Sequence, residues 1–233
     1  MQKTALITGG NKGIGLETSR YFLARDYRVI VLARDFSAFV LAGVKNVSIC
    51  EFDLTAVAQI PALLASLGPI DVLVNNAGVM YSLPYDAYPQ KKMETLLRLN
   101  LEAPVVLMRE VGKQMAGRGG GRIVNNASVA GQVGHPDIWY GISKAGLINA
   151  TKSFARILGP DNVLVNAVAP SPVETDMLEV IPQQRRETFK ASVINKRFAT
   201  AVEVAEAIGW LGTTAPAYIN GICIDINNGA FPR

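Results

Sequence analysis

The chain has 233 residues, of which 49% are hydrophobic and 18% charged, so it is long and apolar enough for one substantial core. Its formal net charge of +4 is modest and its basic residues are scattered, which favours an ordinary surface over nucleic-acid binding. No run of about 18 apolar residues occurs and no signal-peptide core follows Met1, so we expect a cytoplasmic location and no membrane segment. One histidine and two distant cysteines offer no zinc-ligand spacing, and we predict no metal site.

The first predicted elements are a strand, a glycine-rich loop and a helix. The strand covers residues 4–8, the pattern Gly9-x-x-x-Gly13-x-Gly15 follows it, and the helix covers residues 16–25. In this order, glycines allow a tight turn and let the backbone approach a pyrophosphate, which then lies at the positive end of the helix. A glycine loop alone is weak evidence, because such loops occur in many strand–helix turns.

The end of the second predicted strand, residues 28–33, bears on the choice of cofactor. An acidic residue there would bond the ribose 2′-hydroxyl of NAD and repel a 2′-phosphate. Ala33 stands at this place, Arg34 follows it, and Lys12 lies in the glycine loop. Both cations suit a phosphate, so the sequence predicts NADP(H) rather than NAD(H). Asp35 is the counter-evidence, since a small register shift would aim its carboxylate at the ribose.

Further strands alternate with helices along the rest of the chain. The strands are predicted at residues 47–52, 70–74, 122–126, 163–169 and 221–226, and the helices at 59–67, 92–115, 140–158 and 202–211. Pro104 predicts a kink or a restart within the second of these helices. The alternation predicts an α/β fold, a three-layer doubly wound Rossmann fold with a central parallel sheet of about seven strands. We expect a single NADP(H)-binding domain over residues 1–233, with a substrate lid at about 176–197.

Tyr140 and Lys144 are four residues apart in a predicted helix, so the ammonium can lie beside the phenol. A phenol with a pKa of about 10 is a poor proton donor or acceptor at neutral pH, and a nearby cation stabilises its phenolate. We therefore expect Lys144 to lower the pKa of Tyr140. Taken alone, the pair is a common helical pattern. Ser128, at the end of the fifth strand, would taken alone be an ordinary turn hydroxyl.

Four motifs in this order resemble the short-chain dehydrogenase/reductase family, and the resemblance runs from Thr4 to about Gly229. The motifs are the loop at residues 8–15, the sequence Asn-Asn-Ala-Gly at residues 75–78, Ser128, and the pair Tyr140 and Lys144. The resemblance implies hydride transfer between NADP(H) and a carbonyl or secondary alcohol. Tyr140 would be the general acid/base, Ser128 would hydrogen-bond the reacting oxygen, and Lys144 would bind the ribose.

The resemblance also assigns roles to individual residues. Asn100 would hold a water that links Lys144 to a proton relay, Asp53 and Leu54 would contact adenine, and Thr175 would lie at the nicotinamide amide. The implied catalytic residues are Asn100, Ser128, Tyr140 and Lys144. The implied cofactor-binding residues are Thr8, Gly9, Asn11, Lys12, Gly13, Ile14, Gly15, Arg34, Asp53, Leu54, Asn76, Ala77, Gly78, Tyr140, Lys144, Pro170, Val173 and Thr175.

The sequence departs from the family pattern at two residues and in one spacing. Ser171 stands where the family commonly has glycine, and it would fit without cost if its φ were negative. Asn228 replaces one glycine of the usual terminal pair, and asparagine tolerates the left-handed region. The spacing from Ser128 to Tyr140 is one residue short, so the loop at residues 134–137 is expected to form an unusual substrate wall. Within it, His135 precedes a proline and is predicted to be a surface loop residue.

Several functions remain open at this point. The glycine loop resembles that of carbonyl reductases, whereas residues 165–177 resemble 3-oxoacyl-(acyl-carrier-protein) reductases. The substrate is therefore a small carbonyl or alcohol, or an acyl thioester. A non-catalytic NADP(H) sensor and an isomerase or dehydratase on the same scaffold are the alternatives. The resemblance further implies a homotetramer or homodimer.

Overall fold

Within residues 2–232, which the computed structural model describes, seven strands form one sheet in which every neighbouring pair is parallel. Residues 1 and 233 of the predicted domain lie outside this range. The strands are β1 Thr4–Thr8, β2 Arg28–Ala33, β3 Val47–Glu51, β4 Val72–Asn75, β5 Gly121–Asn126, β6 Val163–Pro170 and β7 Cys223–Ile226. Their order across the sheet is β3-β2-β1-β4-β5-β6-β7. Because all strands run the same way, their carboxyl ends meet along one edge.

The central strands are apolar along their whole length because neither face of the sheet meets water. All five residues of β1 are buried, and so are all of β2 after its first residue. The edge strands β3 and β7 are partly buried or exposed throughout, as expected for strands that have a neighbour on one side. Buried apolar runs of this kind are typical of parallel sheets between two helical layers.

Seven α-helices within residues 2–232 cover both faces of the sheet. They are α1 Gly13–Leu23, α2 Ile60–Leu67, α3 Gln90–Leu97, α4 Ala103–Ala116, α5 Ile138–Leu158, α6 Gln183–Ser192 and α7 Ala201–Gly212. Leu6 of β1 joins the hydrophobic cluster that α2, α4 and α5 build, whereas its neighbour Ile7 joins the cluster that α1 and α7 build. Successive side chains of a strand point to opposite faces, so this division confirms the predicted doubly wound fold.

The long helix predicted at residues 92–115 continues through a π-helical turn before its proline. After α3, residues Arg98–Glu102 form this turn, and α4 then begins at Ala103 with Pro104 in its first turn. Proline has no N–H to donate to the preceding turn, so the change in hydrogen-bond pattern lies where Pro104 requires it. Asn100 lies in the π-helical turn and is buried. No helix formed by residues 2–232 is long and apolar enough to cross a bilayer.

The predicted lid region contains a short 3₁₀ segment, Asp176–Val180, and the helix α6. Its end is held by Asn228, whose side-chain oxygen accepts the N–H of Asn195 at 2.9 Å. Asn228 has φ 46°, in the left-handed region, as the sequence suggested. Ser171 has no positive φ, so this departure from the family pattern costs no backbone strain. The lid function of residues 176–197 remains a prediction.

Candidate active site

The side chain of Asn76, directly after β4, is hydrogen-bonded to backbone carbonyl groups at the start of the glycine-rich loop. Its Nδ2 donates to the carbonyl oxygens of Thr8 at 3.0 Å and Gly9 at 3.1 Å. The Thr8 hydroxyl in turn accepts the N–H groups of Asn76 at 2.9 Å and Ala77 at 3.0 Å. A Cβ on Gly15 would overlap the Gly9 carbonyl oxygen, so a larger residue does not fit there. Thr8 and Asn76 therefore shape the loop.

The N-terminus of α1 has the open form that a pyrophosphate needs. Lys12 is its N-cap residue and, among the residues described, no side chain caps the helix. The first N–H groups of α1 therefore remain available to an anion. Gly13 has φ 51°, and a Cβ on it would lie 3.2 Å from Cγ2 of Thr175. The glycine loop and the segment after β6 thus form the two sides of a slot at the N-terminus of α1. The residues present thus fit a dinucleotide.

The adenosine end of the slot, as the sequence predicts it, is bounded by the turn after β2. Arg34 is exposed there. The Asp35 carboxylate accepts the N–H of Ser37 at 2.8 Å, which lowers the pKa of Asp35 below its usual value. Asn11 links the glycine loop to the same turn, because its Nδ2 donates to the Asp35 carbonyl at 2.8 Å. The Asp35 side chain is thus engaged in its own turn.

Lys12 and Asp176 form an ion pair at 2.7 Å that joins the glycine loop to the predicted lid. Lys12 was expected to reach a cofactor phosphate, and here its partner is a carboxylate. Their side chains are 70% and 79% exposed, so solvent screens the pair strongly. Such a pair is easily exchanged for a phosphate partner.

The predicted adenine contacts after β3 differ in their accessibility. Asp53 is exposed, and its Oδ1 accepts both the N–H and the hydroxyl of Thr55 at 2.9 Å. Leu54 is 4% exposed and belongs to the core under α2 and α4. Its side chain therefore has little surface to offer an adenine ring, and the contact with Asp53 remains a prediction.

Tyr140, Ser128 and Lys144 converge at the carboxyl end of β5, and each is less than a tenth exposed. The Ser128 hydroxyl lies close enough to the Tyr140 phenol to lower its pKa. Lys144 Nζ donates to the carbonyl oxygen of Asn126 at 2.7 Å and lies 5.7 Å from the centre of the Tyr140 ring. The helix α5 thus brings the phenol and the ammonium to the strand end that carries Ser128.

Burial governs the titration of this cluster. It raises the pKa of Tyr140 above 10, although the nearby Ser128 hydroxyl acts in the opposite direction. It lowers the pKa of Lys144 from 10.5 to about 8. Burial, Ser128 and Asp137 shift the pKa of Tyr140, with burial the largest cause. The expectation that Lys144 lowers this pKa remains a prediction. At neutral pH Tyr140 is a protonated phenol.

Asn100 is anchored by the loop that follows β4. Its Oδ1 accepts the N–H of Val79 at 2.8 Å, and its Nδ2 donates to the Val79 carbonyl at 2.8 Å and to Ser143 Oγ at 3.3 Å. A Cβ on Gly78 would lie 3.3 Å from Asn100 Oδ1 and 3.6 Å from Lys144 Nζ, so both groups border this glycine. The expected water-holding role of Asn100 remains a prediction.

The other predicted cofactor residues lie around the same slot or beside it. Val173 is buried and forms an isolated parallel bridge with Ala199, and Thr175 Oγ1 donates to the Val173 carbonyl at 3.4 Å. Pro170 ends β6 and pairs with Ile226. Ile14 packs against the cluster under α1 and α7. These contacts place the segment after β6 beside the glycine loop without assigning it a ligand.

Sequence analysis did not single out Asp137, which caps α5. Its side chain is 1% exposed, and its Oδ1 accepts the N–H of Tyr140 at 3.1 Å. Its Oδ2 accepts the N–H groups of Ser82 at 2.9 Å and Tyr81 at 3.3 Å. Asp137 thus ties the loop after β4 to the first turn of the helix that carries Tyr140. An aspartate three residues before Tyr140 is an N-cap signal that was available in the sequence.

His135 lies in a loop, as predicted, but it is half-buried and not an exposed surface residue. Its ring centre lies 5.4 Å from that of Tyr140, and its Nε2 lies 2.6 Å from Nη2 of Arg185 in α6. Burial lowers the pKa of His135 below 6.5, and the nearby Arg185 charge also lowers it, so the ring is neutral at pH 7. Arg185 is 50 residues away in the chain, so no local pattern indicated this contact.

The family of the chain follows from a comparison with known proteins. The model of the family described as short chain dehydrogenase matches residues 3–186. The chain belongs to the short-chain dehydrogenase/reductase family. As a member of this family it is an oxidoreductase of CH–OH and C=O groups, and it uses a nicotinamide cofactor.

Individual short-chain dehydrogenases/reductases match the whole chain. The 3-oxoacyl-(acyl-carrier-protein) reductase of Aquifex aeolicus is 33% identical over 98% of this chain and 97% of its own length. Among solved structures, ElxO with NADP bound has a TM-score of 0.89 at 28% identity and covers 99% of both chains. A 4-hydroxyisoleucine dehydrogenase complexed with NADH has a TM-score of 0.92 at 27% identity and covers 98% of both chains.

Proposed function

We propose that this chain is an NADPH-dependent oxidoreductase that transfers a hydride between the nicotinamide and a carbonyl or secondary alcohol, with Tyr140 as general acid/base. One observation carries the proposal. The buried phenol of Tyr140 lies close enough to Ser128 for the Ser128 hydroxyl to lower its pKa, and Lys144 Nζ lies 5.7 Å from its ring centre. Three groups that can bind and protonate a developing oxyanion are thus held together at the sheet edge where α/β folds bind ligands.

Tyr140 and Ser128 act on the reacting oxygen. During reduction the Tyr140 hydroxyl donates its proton to the carbonyl oxygen as that oxygen gains negative charge, and Ser128 donates a hydrogen bond to the same oxygen. The raised pKa of Tyr140 keeps the phenol protonated at neutral pH, which is the form that reduction requires. The nicotinamide, when bound, supplies or accepts the hydride at the carbon atom.

Lys144 serves as the second proton-bearing group. Because burial lowers its pKa to about 8, it can exchange a proton near neutral pH more readily than an exposed lysine. Its position beside Gly78 and Asn100 supports binding of the cofactor ribose and a relay through a water held by Asn100. Asn100 is itself fixed by Val79 on both sides of its amide.

The preference for NADPH rests on charge. Arg34 and Lys12 are the exposed cations at the predicted phosphate position, and Ala33 supplies no carboxylate at the end of β2. A ribose 2′-phosphate bound there would meet the Arg34 guanidinium directly after the strand. One related structure holds NADP and the other holds NADH, so the two have a nicotinamide cofactor in common. The choice of NADPH is our proposal.

A 3-oxoacyl thioester on a carrier protein is the second candidate substrate. The observation that favours it is the 33% identity with the Aquifex aeolicus reductase over nearly the whole chain. We otherwise propose a small-molecule carbonyl or alcohol as substrate. A homotetramer or homodimer is proposed on the family resemblance, and light scattering of the purified protein tests it.

The proposal is tested by following NADPH and NADH oxidation in parallel with small ketones, aldehydes and an acetoacetyl thioester. We expect turnover with NADPH to exceed turnover with NADH, and Tyr140→Phe to lower kcat by about 10²–10⁴-fold, because the proton donor is removed. Tyr218→Phe is the matched control, since Tyr218 is fully exposed.

Full activity of Tyr140→Phe contradicts the role of Tyr140. Cofactor binding by the wild type without any turnover across the panel supports an NADP(H) sensor instead. Substrate turnover without a change in nicotinamide absorbance supports isomerase or dehydratase chemistry.

A further inference from the structure

Arg185, in α6, carries a half-buried positive charge that has no acidic partner at bonding distance. Its Nη2 lies 2.6 Å from Nε2 of His135, and no carboxylate of residues 2–232 forms an ion pair with it. Its neighbour Arg186, by contrast, is paired with Glu179 at 3.1 Å. A guanidinium has five N–H donors, and a neutral imidazole satisfies one of them without compensating the charge.

The carboxylate whose charge reaches Arg185 is Asp137, and it is already engaged. Asp137 Oδ1 accepts the N–H of Tyr140, and Oδ2 accepts the N–H of Ser82. Turning Asp137 toward Arg185 would leave the first turn of α5 without its cap. The guanidinium is therefore desolvated in part and left with donors for a group that the chain does not supply.

The position of this guanidinium relates it to the reacting atoms. His135 contacts both Arg185 and Tyr140, with its ring centre 5.4 Å from the Tyr140 ring at an interplanar angle of 56°. The guanidinium and the proposed proton donor thus share one imidazole as a neighbour. A substrate that reaches both Arg185 and Tyr140 would carry its negative group a few bonds from the carbonyl that Tyr140 protonates.

We propose that Arg185 binds a carboxylate of the substrate, so that the preferred substrates are short oxo acids and the corresponding hydroxy acids. This inference rests on the proposed function. A carboxylate matches the planar fork of a guanidinium and binds it through two parallel hydrogen bonds. His135 is the positioning residue, because its neutral Nε2 accepts from Arg185 and fixes the fork. A thioester has no carboxylate near its carbonyl, so this site favours free acids over carrier-bound substrates.

The test compares pyruvate, acetoacetate and 4-oxopentanoate with their methyl esters as substrates for NADPH oxidation. The wild type is expected to show kcat/KM at least about 10-fold higher for one of the acids than for its ester, as a charge-assisted bond implies. Arg185→Met keeps the length of the side chain and removes its charge. It is expected to lower kcat/KM for that acid by about 10–100-fold, mainly through KM, and to leave the ester within about twofold.

Two further variants separate binding from lid structure. Arg185→Lys retains the charge and is expected to keep part of the preference, and Arg186→Met is the matched control that leaves both substrates unchanged. The inference is overturned if the wild type prefers no acid over its ester, or if Arg185→Met lowers acid and ester equally.

A binding measurement distinguishes failure of this inference from failure of the proposed function. Butanoate carries the carboxylate and has no carbonyl to reduce, so its binding to the enzyme with NADP⁺ is measured by calorimetry. Butanoate that binds the wild type about 10-fold or more tightly than Arg185→Met supports the site even if no substrate of the panel turns over. Equal binding by both proteins, or none, overturns the inference even if ketones are reduced.

Discussion

Lys144 is 5% exposed, and its ammonium group donates a hydrogen bond to the Asn126 carbonyl. Burial lowers its pKa to about 8, whereas the same group in the unfolded chain has a pKa of about 10.5. The unfolded chain therefore binds the proton more tightly than the folded protein does. The free energy of unfolding, as far as Lys144 determines it, must rise as the pH increases from about 8 to about 10.5.

This sign gives a measurable difference between the wild type and Lys144→Met. Between pH 7 and pH 9.5 the unfolding free energy of the wild type should rise by about 2 kcal/mol relative to the variant, since the variant has no lysine to deprotonate. Urea unfolding of both proteins at the two pH values measures it. Other titrating groups, Tyr140 among them, are present in both proteins. Parallel pH profiles would show that Lys144 is not desolvated as described.

At the scale of residues, sequence spacing and family resemblance singled out side chains whose partners are close along the chain. Tyr140 and Lys144 are brought together by one helix, and Ser128 by the strand end beside it. The contact between His135 and Arg185 could not be predicted, because it depends on how α6 folds back onto the loop before α5. The roles of all these residues remain predictions that the experiments above test.

At the scale of elements, the turn after β5 packs directly on the backbone of α5. Residues Val129–Gly131 form a 3₁₀ turn whose first N–H groups include that of Ala130, which donates to Ser128 Oγ at 3.1 Å. A Cβ on Gly131 would lie 2.6 Å from the carbonyl carbon of Lys144 and 2.7 Å from the N atom of Ala145. The glycine therefore permits the close approach that sets Ser128 against Tyr140 and Lys144.

Gly131→Ala should separate the turn from α5 and displace Ser128. We expect kcat to fall by about 10-fold or more, because a shift of about 1 Å at reacting groups can cost that much, and the free energy of unfolding to fall by about 1–3 kcal/mol. Gly117→Ala, at the end of α4, is the control, since a Cβ there would meet no heavy atom closer than 3.6 Å. Steady-state kinetics and urea unfolding of both variants provide the readouts. Equal activity of the two variants would mean that this contact does not set the geometry.

The bounds of the elements were predictable where apolar pattern decides them and less so where side-chain hydrogen bonds do. The sequence placed β4 at residues 70–74, whereas it begins at Val72 and ends at Asn75. Asp71 lies just outside, and its carboxylate accepts the N–H of Thr4 at 2.7 Å. Asn75 lies inside because it follows the ladder and its side chain donates to Asn125 at 2.8 Å. Similarly, Pro104 predicted a kink or a restart of the helix, whereas the structure has a π-helical turn before it.

At the scale of the whole molecule, the two hydrophobic clusters share the strands of a single sheet. Neighbouring residues of β1, such as Leu6 and Ile7, contribute to opposite clusters. Losing either helical layer would expose one face of the same strands to water. We therefore predict that both helical layers unfold in one cooperative transition, as a single domain does.

The two tryptophans allow this to be measured layer by layer. Trp139 packs in the small cluster around Tyr140, and Trp210 lies on α7 of the opposite layer. In Trp210→Phe and Trp139→Phe, each with one remaining tryptophan, the fluorescence transition in urea should coincide with the far-UV circular dichroism transition. A separation of more than about 0.5 M between the midpoints in either variant would indicate two independently unfolding parts.

The order of strands across the sheet also constrains how the sheet can be assembled. β1 lies between β2 and β4, and β3 and β7 stand at the two edges. Taken in the order of synthesis, every new strand joins an edge that is still open: β2 and β3 extend one side of β1, and β4 to β7 extend the other. No strand has to be inserted between two that have already paired. A chain leaving the ribosome can therefore keep each ladder it forms, and no parallel pairing has to be undone before the last strand arrives.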